Sequence, residues 1–420
     1  MTDSELGRGL LTLRGFQWIL GTGGDPYALL LRAESADPRE LGRQARERGA
    51  LHRSAADAWV TGTYAAAEAA LRDPRLDTSP PKAVGNEDDA QEWAAPTLSD
   101  LLPLGRAGLG LPRAEYARLR ELAEPALGAE AVRAREADLR RDHEAALRGI
   151  SGDFDLVGDV VRPAVVTSTA GLFGLRGEAV ARFAELCAGT APALDARVCP
   201  PQLATGRLLL ESVEGMSELF EKLIAERSPA PGEDLIGRLV WEPGSTPQDV
   251  AVLCLLVAIA GTEVAVSLAV NAFAALLDRP QEWARLVEEP GLAAGAVAET
   301  LRAAPPVRCE NLWATEEVRL GDETIASGDQ VVVFFDSAGG DPAAYDEPER
   351  FVPARATDRE PLACSGDLAT GLIAPLARLQ ATTALTAVAA ALPALRSTGP
   401  LLRHPRSPVL RRAFRMPVAA

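Results

Sequence analysis

Most of the chain is written in helical period. Leu6, Leu10, Leu13 and Phe16 recur at the spacing of one helix face, and Trp18, Ile19 and Leu20 extend it. Gly21-Thr-Gly-Gly-Asp-Pro26 breaks that helix before a second apolar stretch, Tyr27 to Leu31. Arg39 to Arg48 predicts a polar helix ending at Gly49. Ala58 to Thr63 predicts a strand with a break at Gly62, and Tyr64 to Leu71 an Ala-rich helix closed by Asp73-Pro74. Residues 178 to 227 hold two helical patterns separated by Val198-Cys-Pro-Pro-Gln202. After Pro305-Pro-Val307 the period shortens to that of strands over Val318 to Leu320, Glu323 to Ile325 and Gln330 to Phe335. The turns between them fall at Gly321-Asp322 and Ser327-Gly-Asp329.

Two segments stand out. Thr246-Pro-Gln-Asp249 is a helix start, with Thr246 as cap and Pro247 where a missing N–H costs nothing. From there to about Leu277 the residues are apolar on nearly every face, which predicts a buried central helix. Ala374-Pro-Leu-Ala-Arg-Leu379 starts a second Ala/Leu-rich helix that runs to about Ala391. Ser79 to Pro103 is rich in Pro, Asp and Glu and reads as a mobile loop. The pattern is that of a mainly α protein with small β-sheets.

Composition narrows the function classes. With 420 residues, 47% of them hydrophobic, the chain can bury a large core. A net charge of −16 argues against nucleic acid or an anionic membrane surface as partner. Five widely spaced cysteines without a CxxC pair read as reduced thiols in a cytoplasmic protein. The three histidines, His52, His143 and His404, are far apart, which argues against a zinc site. The N-terminus lacks the basic segment of a signal peptide. The longest apolar run, Val250 to Gly261, is too short to span a bilayer.

Several motifs sit at mutually consistent distances. They are Ala260-Gly-Thr-Glu263, Ala298-Glu-Thr-Leu-Arg302, Pro348-Glu-Arg-Phe351, Pro353-Ala-Arg355 and Pro361 to Leu379. Together they resemble the cytochrome P450 family from about Pro38 to Pro417. The resemblance implies that family's triangular-prism fold, with one domain over 38–420 and an N-terminal arm over 1–37. It also implies a structural network of Glu299, Arg302 and Arg355, since acid and base three apart share a helix face.

The haem site that the resemblance would imply is degenerate. Gly371 falls where the family has its thiolate ligand, and glycine has no donor atom. Cys364 falls where the loop's Phe belongs. Ala369 and Leu312 replace propionate partners, and Tyr116 stands in Leu109-Gly-Leu-Pro-Arg-Ala-Glu-Tyr-Ala-Arg-Leu-Arg120 where a His is usual. Val264 replaces the Thr that organises oxygen protonation, and Val can neither donate nor accept a proton. Glu263 remains, as an acid at a helix distortion. These losses point to a pseudoenzyme without cofactor or metal.

Gly7-Arg-Gly-Leu through Gly24-Asp-Pro-Tyr27 resembles the start of a haemless subgroup of that family. Its members are auxiliary proteins of deoxysugar glycosyltransferases in macrolide and anthracycline pathways. That resemblance implies a glycosyltransferase partner, held in a hetero-oligomer such as a heterotetramer. The first helix then has two readings: packing on its own domain, or an apolar arm contacting the partner through Leu13, Phe16, Trp18 and Tyr27. The alternatives are a haemless small-molecule binder using the old substrate pocket, and new chemistry there, for which no nucleophile–base pair is visible.

The purified protein is expected to be colourless, without a Soret band, even after expression with excess haem. An absorption spectrum checks this, and a stoichiometric band overturns it.

Overall fold

The computed structural model describes residues 1–33, 37–80, 97–230 and 232–420. The central helix, Pro247–Leu277, is 31 residues long. Its start is as the sequence requires: Thr246 caps it in a reciprocal pair with Asp249, and Pro247 occupies the first turn. The apolar run counted from Val250 to Gly261 was the wrong measure, because the whole helix is long and apolar enough to cross a bilayer. It instead forms the middle of the core, where Val250, Leu253, Leu256, Val264, Leu268 and Phe273 are inaccessible to solvent. The ladder widens to π geometry over Val257–Gly261. Just past it the buried Glu263 accepts hydrogen bonds from both terminal nitrogens of Arg162, at 2.5 and 3.1 Å. The carboxylate is thus paired where the ladder is irregular.

The helix Ala374–Ala391 packs along the central helix, and Leu203–Arg227 crosses its first half. The predicted pair over 178–227 is observed as Glu178–Thr190 and Leu203–Arg227, with a single turn, Ala193–Ala196, between them. At one side lies a five-stranded sheet in the order Leu51–Arg53, Ala58–Thr61, Gln330–Phe334, Cys309–Ala314, Leu76–Asp77. Ala58–Thr61 runs parallel to Gln330–Phe334, with Trp59 opposite Val331, so distant parts of the chain meet there. The strand ends at Thr61, and the next position must be glycine, because a Cβ on Gly62 would lie 2.0 Å from the Gly49 carbonyl oxygen. The last strand, Pro417–Ala419, pairs with Asp153–Asp155 and Arg396–Ser397. Most of the Ser79 to Pro103 loop lies outside the described residues, and its end holds a short capped helix, Leu98–Leu101.

Glu299 and Arg302 are 3% and 4% exposed, and they organise the approach to the second long helix. The Glu299 carboxylate accepts from Arg302 Nε and Nη2 at 2.8 and 2.7 Å, from Arg355 Nε at 3.1 Å and from the Val352 N–H at 2.9 Å. Arg302 also donates to the carbonyls of Gly339, Pro348 and Arg350. Burial would raise the Glu299 pKa, but these donors hold it below its ordinary value. Its contribution is therefore complete above the unfolded carboxylate range and is lost as pH falls through the folded value. Glu299→Gln is expected to cost about 3 kcal/mol, because it leaves buried guanidinium charge uncompensated. Urea melts from pH 7 down to pH 3 should show the wild-type advantage shrinking with acidification.

Candidate functional site

The loop between Pro361 and Ile373 decides what this molecule can hold. It turns through left-handed backbone at Cys364 (φ 58°) and Gly366 (φ 72°), then makes one helical turn, Ala369–Leu372. This brings the Gly366 carbonyl back onto Gly371. A Cβ at position 371 would lie 2.2 Å from that oxygen and 2.9 Å from both the Ser365 oxygen and Arg120 Nη2. Real atoms do not approach so closely, so the loop has closed around the absence of a side chain. Arg120 fastens it by donating to the Gly366 carbonyl, and its other terminal nitrogen lies 3.5 Å from Asp367. This Arg reaches the loop from the helix Arg113–Leu127.

Tyr116, Leu312, Val264 and Ala369 are likewise engaged or buried. The Tyr116 hydroxyl donates to the Gly108 carbonyl at 2.6 Å and accepts from the N–H groups of Gly110 and Leu111. It braces a turn and has no capacity left for a ligand. Leu312, Val264 and Ala369 are buried, Leu312 in the sheet opposite Val331. A Cβ on Gly261 would lie 3.8 Å from Ile373, so central helix and loop are within one side chain of contact. Cys364 is buried, and desolvation pushes its thiol up to about 12. The other cysteines are buried too, and burial raises their thiol pKa values likewise. A haem needs a strong axial donor, propionate partners and a flat space, and these residues do not fit it.

Among the described residues the histidines stand apart from one another and are engaged in packing. His143 Nε2 lies 3.1 Å from Gln380 Oε1, which Ser168 also contacts, and burial lowers that imidazole to about 4. The trio is buried core. His404 is likewise lowered to about 4 by burial. Among the described residues no three His, Cys, Asp or Glu side chains are grouped to hold a metal.

The N-terminal helix, Asp3–Leu20, has two faces. Leu6 and Leu10 are buried beside Leu101, Leu102 and Leu203. Arg14 donates to the Arg32 carbonyl at 2.6 Å, and Gln17 to the Val198 carbonyl at 2.5 Å. The helix is therefore pinned to the body. Its outer face leaves Leu11 73%, Phe16 49%, Trp18 52% and Ile19 64% exposed. Trp18 lies under the Arg32 guanidinium, 4.6 Å from ring centre to Cζ. Leu13 is half-buried. Tyr27 does not belong with the contact candidates: it is 2% exposed, and its hydroxyl reaches Asn311 at 3.4 Å. The break expected at Gly21 to Pro26 is present, and Asp25 caps a new helix, Pro26–Arg32, that turns Tyr27 inward. Conversely, Leu11 and Ile19 join the outer face. Sequence reading also missed the attachment of Arg120 to Gly366, which joins residues 246 positions apart.

Known proteins share this chain's fold and much of its sequence. A family model described as cytochrome P450 matches residues 242–362. Protein AknT of Streptomyces galilaeus is 42% identical, covering 99% of this chain and 96% of its own. The cytochrome P450 family protein EryCII of Saccharopolyspora erythraea is 32% identical over 98% of this chain and 97% of its own. The crystal structure of Mycobacterium smegmatis CYP164A2 with econazole bound superposes with a TM-score of 0.79 at 28% identity, covering 94% of this chain and 99% of that one.

Gly371→Cys is expected not to restore haem binding and to destabilise the chain by about 1–3 kcal/mol, because the loop must open to admit a side chain. Hemin titration followed by the absorption of the reduced carbon monoxide complex checks the first point, and thermal melting the second. One-to-one uptake would show that the loop opens at little cost.

Proposed function

The chain belongs to the cytochrome P450 family, and we propose that within it this protein is a non-catalytic auxiliary that binds, stabilises and activates a deoxysugar glycosyltransferase. The observation that carries the reading is the closed loop at Gly371, which leaves the family's chemistry no foothold. The fold is nevertheless complete, including the buried Glu299–Arg302–Arg355 network. A protein that keeps its scaffold and lacks its reaction centre fits a role as a binding surface. The resemblance of Gly7 to Tyr27 to the auxiliary subgroup supports the choice of partner and a cytoplasmic setting.

The proposed contact is the outer face of the first helix. Leu11, Phe16, Trp18 and Ile19 present four large apolar side chains on one rigid, docked element. Isolated exposed apolar residues are ordinary, but such a cluster marks an interaction surface. Aromatic anchors of this kind carry most of the energy at interfaces. By burying apolar surface on the transferase, the complex would stabilise the partner's folded form by mass action.

Co-expression of the neighbouring glycosyltransferase with and without this chain tests the function. The transferase is expected to be soluble and to transfer sugar only when both are present, and equal activity without this chain overturns the reading. Replacing Phe16 and Trp18 with Ser should weaken co-purification by at least about tenfold while leaving the fold intact, since each anchor is worth roughly 2 kcal/mol. If only this variant is harmless, the contact lies elsewhere on the body.

A further inference from the structure

Two adjoining cavities, of about 340 and about 720 Å³, share Arg308, Leu401, Arg403 and Arg411 among their lining residues. Among the described residues they are lined by seven arginines against three aspartates, an excess of four positive charges in a chain of net −16. Such a concentration of one sign in a concave site focuses an attractive field on anions.

The three shared arginines are poorly compensated. Arg308 is 5% exposed and pairs through Nε with Asp336 at 2.5 Å. Its Nη2 is buried with no hydrogen-bond partner among the described residues. A buried donor left unmade is expensive and calls for a partner. Arg403 donates to the Arg411 carbonyl and to Asn271 Oδ1, both neutral acceptors. Burial first, then the neighbouring Arg411 and Arg308, lowers the pKa of Arg403 to about 9. Arg411 makes no side-chain hydrogen bond or ion pair among the described residues, and burial and Arg308 lower its pKa as well. The carboxylates that act on Arg411 are Asp336, already bound to Arg308, and Asp37. Cations crowded together under desolvation are relieved by an anion bound between them.

We propose that this Arg308–Arg403–Arg411 cavity binds a phosphorylated small molecule, with a phosphate or diphosphate group on the guanidiniums and its organic part against Leu29, Leu30 and Leu41. Guanidinium forks match phosphoryl oxygens in charge and geometry, and an excess of several charges calls for more than a single carboxylate. The apolar side chains on the wall of the larger cavity give the uncharged portion a place to be buried. The site is separate from the closed loop at Gly371 and independent of the proposed partner, so it is tested on the isolated full chain.

The test is calorimetric titration of inorganic pyrophosphate into the protein, with sodium chloride at matched ionic strength and citrate as controls, beside thermal melting. The expected result is one-to-one uptake of pyrophosphate, a rise in melting temperature beyond the chloride control, and weaker response to citrate. Arg411→Gln should keep the wild-type circular dichroism spectrum and bind pyrophosphate at least about tenfold more weakly. Should that variant fail to fold, Arg406→Glu at the same cavity replaces it, with the same loss expected. No uptake beyond chloride, or undiminished binding by the folded variant, overturns the site. Citrate binding as tightly as pyrophosphate overturns the phosphoryl assignment.

Discussion

The buried carboxylate of Glu299 is the point on which the second half of the molecule depends. It accepts from two arginines and a backbone N–H, and Arg302 in turn gathers carbonyls from Gly339, Pro348 and Arg350. Two ionised partners in a core cost desolvation, which only complete hydrogen bonding offsets. Completion is achieved because backbone from two segments, at Gly339 and at Pro348 to Arg350, supplies the remaining acceptors. One helix is thereby locked to the irregular segment that delivers the chain to the loop before Ala374. Where that segment ends is a matter of ångströms, and the loop's geometry inherits its accuracy.

That accuracy is now applied to closure. With no Cβ at 371, the Gly366 carbonyl can settle onto the backbone, and Arg120 has a neutral acceptor to hold. Tyr116 and Arg162 show the same logic at other points: the Tyr116 hydroxyl and the Arg162–Glu263 pair each find their partners inside the protein. Apolar replacements at Leu312 and Val264 then fill volume that would otherwise stand empty, and empty volume is destabilising in proportion to its size.

The first helix shows the opposite economy at the surface. Leu6 and Leu10 bind it firmly to the body, yet Leu11, Phe16, Trp18 and Ile19 remain in water. A free arm would lose conformational freedom on docking, whereas a helix held by Arg14 and Gln17 has little left to lose. Rigidity and exposed apolar area on one element favour a lasting contact.

Much of the fold was legible in the chain because local rules and burial agreed. Thr246-Pro247 and Ala374-Pro375 begin the two long helices where capping chemistry says they should, and the second ends at Ala391 as its pattern does. That the side chains at Gly371, Ala369 and Leu312 offer no donor atom is written in residue types and needs no coordinates. Direction was less legible. Tyr27 lies in the apolar stretch after the break and is turned inward by the cap at Asp25, while Leu11 and Ile19 of the first helix face outward. Only the folded chain decided that Gly366 would cover Gly371, with Arg120 reaching it across 246 positions of sequence. Likewise Arg308 meets Arg403 and Arg411 only because a strand start and the closing hairpin pack together. Periodicity reports how one element faces its own axis, while such meetings depend on where separate elements come to rest.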